Sequence, residues 1–258
     1  MKKLFSVILA FLMVAGCMST ASFADDDASA TVYVSVSDKG KLVAAQKSVK
    51  VTDTDGDGTL TVNDALYAVH ESAYPGGAKE GYGYYTHKDY GLSISKLWGD
   101  TSGNFGYYLN NSSCWSLSDT VENGDYLNAF VYSDSKSYSD KYCFFSSFTV
   151  TADVNSAIEL TLSSAGYDEY WNPVTLPVAG AEITVDGTAT GVKTDENGKA
   201  TIQISGAGSH VISAVSSSEI LVPPVCTVQI NGGIFDHIIS AITAFLSAIV
   251  SFILSVFA

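Results

Sequence analysis

Asp53, Asp55 and Asp57 occupy alternate positions at the start of the run Asp53-Thr54-Asp55-Gly56-Asp57-Gly58-Thr59-Leu60-Thr61-Val62-Asn63-Asp64. Carboxylates crowded this closely repel one another unless a cation lies among them. Counted from Asp53, acidic residues fall at loop positions 1, 3, 5 and 12. Gly58 stands at position 6, where such a loop turns sharply, and the hydrophobe Leu60 stands at position 8. Calcium takes about six to eight hard oxygens at about 2.3–2.6 Å, and this spacing wraps a chain around one ion. On that reading Asp53, Asp55 and Asp57 each give a side-chain oxygen, and Thr59 gives its carbonyl. Thr61 acts directly or through water, and Asp64 closes the shell from the first turn of a following helix. The expected cofactor is Ca2+.

Residues for other chemistry are scarce. His70, His87, His210 and His237 are isolated, and His70-Glu71 lacks the second histidine of HExxH. No GxSxG, P-loop or strand–GxGxxG–helix pattern occurs. Catalytic residues are therefore none, and the chain reads as a non-enzyme. The aromatics Trp98, Tyr107, Tyr108 and Trp115 could form a ligand face; core and cross-strand packing is the other reading of the same residues. Four cysteines occur, at 17, 114, 143 and 226, with no CxxC pair to support a zinc site. Cys114 and Cys143 either pair as a disulfide or stay as buried thiols.

The elements that would hold the loop are short. TVYVSV over 31–36 alternates apolar and polar as a half-buried strand does, and VAAQKSVKV over 43–51 follows after the turn-forming DKGK. Beyond Asn63, the residues Ala65, Leu66, Ala68, Val69 and Ala73 form one helical stripe. Asn63 or Asp64 can cap it, and Pro75-Gly76-Gly77 ends it. Tyr-rich runs split by glycine come next. The pattern predicts an α+β domain over 28–152, with the helix across a mixed sheet. From 157 to 231 the short runs IELTLS, AEITVDG, KATIQIS, SHVISAV and VCTVQI, separated by DG, ENG and GAG turns, predict a small Ig-like β-sandwich. GYDEYWNPVTLP reads as a linker-like turn region within it. The fold class is mainly β.

The ends read as targeting segments. Lys2 and Lys3 precede an apolar run that is too short to span a membrane, so residues 1–24 are a signal peptide. Cleavage after Ser22-Phe23-Ala24 and a lipobox at Val14-Ala15-Gly16-Cys17 are the two processing routes. At the other end, 234–258 is a hydrophobic helix. Its uncharged stretch Ile238 to Ala258 can cross a bilayer core of about 30 Å, with small polar residues on one face for helix packing. The formal net charge is −14 and there is no arginine, which excludes a nucleic-acid partner because no basic face meets the phosphates. The chain is expected to be exported and held at the cell surface, on the extracellular side of the membrane, through its C-terminal helix.

Three resemblances add to this reading. The twelve residues 53–64 resemble an EF-hand or dockerin calcium loop. Dockerins carry two such loops and this chain has one, so cohesin binding is not implied. The stretch 31–150 resembles the transcobalamin-like C-terminal β-grasp domain of bacterial surface proteins. It does so through NDALYAVHESAY, GLSISKLWG and the pattern Gly106, Tyr107, Tyr108, Asn110, Asn111, then Gly124-Asp125. PVAGAEITVDG and TDENGKATI resemble carboxypeptidase-regulatory or prealbumin-like repeats, which are small sandwiches that act as stalks. Together they imply a non-catalytic, calcium-binding surface module for a small molecule or surface partner. The alternatives are a structural or adhesive spacer and a cobalamin-type capture protein. The helical barrel that accompanies the domain in cobalamin carriers is missing here.

Overall fold

The computed structural model describes residues 28–89 and 91–232, together with Phe245 and Ser247. The expected leader with Cys17 lies outside the described residues, as does the expected C-terminal helix apart from those two positions. Among the described residues no helix is long and apolar enough to cross a membrane.

The chain opens with a hairpin, β1 (Ser29–Asp38) and β2 (Lys41–Thr52). Its tight turn places Lys39 and Gly40 at φ 49° and 79°, the paired positive φ that matches strand twist. The acidic loop then leads into α1 (Val62–Ala73), and a one-turn α2 (Gly77–Gly81) follows. The strands β3 (Gly83–His87) and β4 (Gly91–Lys96) form a separate hairpin. β5 (Phe105–Leu109), β6 (Ser112–Ser113) and β7 (Tyr126–Val131) complete a sheet of order β2-β1-β7-β5-β6. β7 runs parallel to β1, and a parallel return needs a crossover connection, which the helical segment supplies. One face of β1, with Val32, Val34 and Val36, meets Leu66 and Val69 of α1 in a closed core.

The remaining strands are β8 (Lys141–Phe145), β9 (Thr149–Asp153), β10 (Ile158–Tyr167), β11 (Pro173–Pro177), β12 (Glu182–Val185), β13 (Thr188–Lys193), β14 (Lys199–Ile202), β15 (Gly208–Val215), β16 (Leu221–Val222) and β17 (Cys226–Asn231). They form two sheets, β11-β10-β8-β16 with β14 on β10, and β13-β12-β15-β17-β9. Leu160 and Leu162 from one sheet pack with Ile183, Ile212 and Ile230 from the other, which makes this unit a β-sandwich. Two features differ from the sequence expectation. β8 and β9, assigned by sequence to the first region, pair with β10 and β16 and with β17. And GYDEYWNPVTLP is no linker: β10 runs on to Tyr167 and pairs with β11. Its tip is folded by Asp168, whose carboxylate accepts from the backbone N–H of Tyr170 and of Asn172 at 2.8 Å each.

The first sheet carries the helix on one face and meets the sandwich with the other. Tyr33, Tyr126 and Phe148 stack in sequence, and Phe130, Tyr142 and Val222 are buried beside them. At a bulge in β2, Gln46 sits at φ 40°. Its amide donates to the carbonyls of Phe148 and Val225 at 3.0 and 3.2 Å and accepts from Thr227 Oγ1 at 2.8 Å.

Candidate functional site

The acidic loop is shaped by its own carboxylates. Asp53 accepts from the backbone N–H groups of Gly56, Asp57 and Gly58. These bonds, Gly58's first, hold its carboxyl below the usual range. Gly56 and Gly58 lie at φ 78° and 87°, which lets the chain turn back on Asp53. Asp57 Oδ1 accepts from both the N–H and the hydroxyl of Thr59. Asp55 accepts from Asn63 Nδ2 at 3.2 Å. Burial, then the charges of Asp64 and Asp57, push its carboxyl above the usual range. A divalent cation would reverse that push.

One oxygen from each of Asp53, Asp55 and Asp57 comes within 4.8 Å of the others, on the exposed side of the loop. An ionised carboxylate offers about four lone-pair sites. The hydrogen bonds above leave all three residues with acceptor capacity. The Thr59 carbonyl also accepts no backbone hydrogen bond among the described residues. These oxygens fit a hard cation that completes its shell with water.

Asp64 and Thr61 have another role. Thr61, rather than Asn63 or Asp64, is the N-cap of α1, and Asp64 stands three residues on in a reciprocal capping box. Asp64 is fully buried. Its Oδ1 accepts from the N–H and hydroxyl of Thr54, and its Oδ2 from the N–H and hydroxyl of Thr61 at 3.0 and 2.7 Å. All four of its lone-pair sites are in use, so it locks the loop to the helix instead of facing an ion. A polar chain continues inward: Tyr82 OH donates to Asn63 Oδ1 at 2.8 Å, and the His70 ring stacks on Tyr82.

The four aromatics do not share one face. Trp98, at φ 51°, packs edge-on to Tyr74 and beside His70. Tyr107 packs against the first core, while Tyr108, its neighbour on β5, points the other way into the contact with the sandwich, as strand alternation requires. Trp115 is 94% exposed. Cys114, Cys143 and Cys226 are free thiols, and burial pushes each up to about 12.

A cleft of about 440 Å³ opens where the β5–β6 edge meets the β10–β11 hairpin. Tyr108, Phe144 and Ala165 line it from within, and Asn111 and Tyr167 stand on its two sides. The exposed Trp171 lies next to Tyr167, ring centroids 6.1 Å apart.

No protein family and no curated protein matches the chain. Solved structures of the N-terminal four Ig domains of Dscam1 overlap it with a TM-score of 0.22. Isoform 9.44 is 14% identical over 55% of this chain and 30% of that one; isoform 6.9 is 13% identical over 58% and 36%. Isoform 4.4 is 10% identical over 83% and 46%. The chain thus spans between 30% and 46% of the length of those structures, and overlaps at that score carry no inference here.

The sequence reading singled out Tyr108 but missed its partners across the cleft. The signal available for them was the run Tyr167-Asp168-Glu169-Tyr170-Trp171, aromatic where a linker would be small and polar.

Proposed function

We propose that this chain is an exported, non-catalytic surface module whose N-terminal domain is stabilised by one calcium ion and which presents a site for a ligand or partner. The observation that carries this reading is the convergence of Asp53, Asp55 and Asp57 at the entrance to α1. In this reading those three residues and the Thr59 carbonyl hold the ion, water fills the rest of its shell, and Asp64 transmits the ordering to the helix. The N-terminal domain is a β-grasp unit. A hairpin, a crossing helix and a strand returning parallel to β1 support that assignment. The sandwich is of the prealbumin type and begins near residue 140, where β8 starts. The segment 234–258 holds the protein at the membrane.

Calorimetric titration of the chelated protein with CaCl2 tests the reading. Wild type takes up one ion at a dissociation constant of about 1 mM or tighter, sufficient for an extracellular site. The ion raises the melting temperature, with about 2.7 kcal/mol of stabilisation at a hundredfold excess over the dissociation constant. Absence of uptake at millimolar calcium, or equal uptake by Asp57→Ala, overturns it.

The stacked contact between the two units supports a second role, as a stiff spacer. Gln46 and the Tyr126–Phe148 stack, 4.0 Å between ring centroids, hold the tandem in one orientation.

A further inference from the structure

We infer that the cleft between the β5–β6 edge and the β10–β11 hairpin binds an uncharged oligosaccharide. The inference rests on the proposed function only in taking the chain as a binding module.

Charge is the first ground. The protein carries a formal net charge of −14, yet no Asp, Glu, Lys or His lines this cleft. A charged ligand would find no counter-charge there, and an anion would also meet the field of the whole molecule.

Unspent hydrogen-bonding capacity is the second. The hydroxyls of Tyr108, Ser112, Ser113, Tyr167 and Thr175 line the cleft, and none bonds to another described residue. Asn111 uses its Oδ1 to accept from Tyr142 OH at 2.9 Å, which leaves its Nδ2 hydrogens free. An apolar occupant would strand these groups at about 1–3 kcal/mol for each one buried. Hydroxyls both donate and accept, so the partner that satisfies them best is itself rich in hydroxyls.

Shape is the third. Tyr108, with one ring face stacked on Tyr142, and Tyr167 line the cleft, and Trp171, 81% exposed and tilted by 48° to the Tyr167 ring, adds an aromatic face beyond the rim. Such faces suit the C–H side of sugar rings and accept several in a row. The site is also preorganised. Tyr108 is pinned by its stack on Tyr142. Asn111 is pinned by a tight turn, with Asn110 and Asn111 at φ 50° and 63°, and by its bond from Tyr142. The volume of about 440 Å³ lies within the range of about 300–1,000 Å³ of small-ligand sites.

The test uses the full chain saturated with calcium. It is titrated by calorimetry and tryptophan fluorescence with neutral hexaoses of glucose, xylose, mannose and galactose. An oligogalacturonate and an extended Val/Thr hexapeptide serve as the charged and peptide arms. At least one neutral hexaose is expected to bind with a dissociation constant below about 5 mM, and Tyr167→Ala or Trp171→Ala to weaken it about tenfold or more. Tyr85→Ala, an exposed aromatic on β3, is expected to leave binding unchanged. Binding by none of the neutral hexaoses, or only by the charged or peptide arm, overturns the inference. So does wild-type affinity in both Tyr167→Ala and Trp171→Ala, or an equal loss in Tyr85→Ala. Both cleft residues are exposed, so retained melting temperatures show that the variants fold. Calcium uptake on the same samples separates the two readings, because failure of sugar binding with calcium uptake intact sinks the cleft inference alone.

Discussion

The rings of Tyr108 and Tyr142 lie face to face, their centroids 3.7 Å apart and their planes 2° from parallel. One comes from the first sheet and the other from the sandwich. Tyr142 OH accepts from Asn128 Nδ2 and donates to Asn111 Oδ1, both at 2.9 Å, so one residue closes the contact through its face and its tip. Tyr142→Phe keeps the stack and leaves two amides unpaired, and it should cost about 1–3 kcal/mol. Tyr142→Ala also removes the ring and should cost about 3–5 kcal/mol. Urea unfolding of both variants measures the difference. A cost near zero for Tyr142→Phe would mean that the amides find water instead, and equal costs would mean that the ring stack adds nothing.

Asp57 and Asp64 should separate cleanly. Asp64→Ala removes the reciprocal helix cap and should lose about 1–2 kcal/mol even in chelator. Asp57→Ala should melt near wild type in chelator and lose the calcium-induced rise. Melting curves of both variants in EDTA and in calcium check this. A calcium response abolished by Asp64→Ala with no loss in EDTA would return Asp64 to the metal shell.

His70 sets a pH dependence. Its Nδ1 faces the Leu66 carbonyl at 2.7 Å, and its Nε2 accepts the Trp98 N–H at 3.0 Å. The ring is therefore neutral with the proton on Nδ1. Burial lowers its pKa from 6.5 to about 4. Between those values the unfolded chain binds more protons, so stability is full above about pH 6.5 and falls as pH drops towards 4, by about 3 kcal/mol in all. Urea midpoints at pH 7 and 4.5, with the His70 ring followed by NMR, check this. A ring that titrates near 6.5 in the folded protein would contradict it.

The strand pairing also specifies where the chain can be cut. A fragment of 157–231 lacks β8 and β9, so β10 keeps β11 and β14 but loses β8, and β17 keeps β15 but loses β9. It should melt without cooperativity, whereas 140–232 should give a single transition. Scanning calorimetry of the two fragments decides the point, and a cooperative melt of the shorter one would show both strands to be dispensable.

Period-2 alternation in TVYVSV and the stripe from Ala65 to Val69 made the first hairpin and α1 readable, because both bury one face locally. The serines of β1 were not readable in the same way. Ser35 and Ser37 are buried because the sandwich covers the face that alternation assigns to water. The same distant packing hid β8 and β9. Their partners lie far along the chain, and proximity to Tyr126–Val131 suggested the wrong sheet. In the acidic loop the spacing announced Asp53, Asp55 and Asp57. It could not separate a twelfth-position ligand from a helix cap, since an aspartate serves both and only the positions of Thr54 and Thr61 decide.

The parallel pairing of β9 with β17 bears on the order in which this protein can be made. Thr149–Asp153 leaves the ribosome early, yet its sheet edge is not matched until Cys226–Asn231 follows, and β8 likewise waits for Leu221–Val222. Such distant pairings close slowly, because the loop entropy precedes the reward. Until its last strand emerges, the sandwich is an open sheet with live edges. The sandwich therefore closes only after Cys226–Asn231 has been made, and until then its earlier strands are exposed to pairing with other chains.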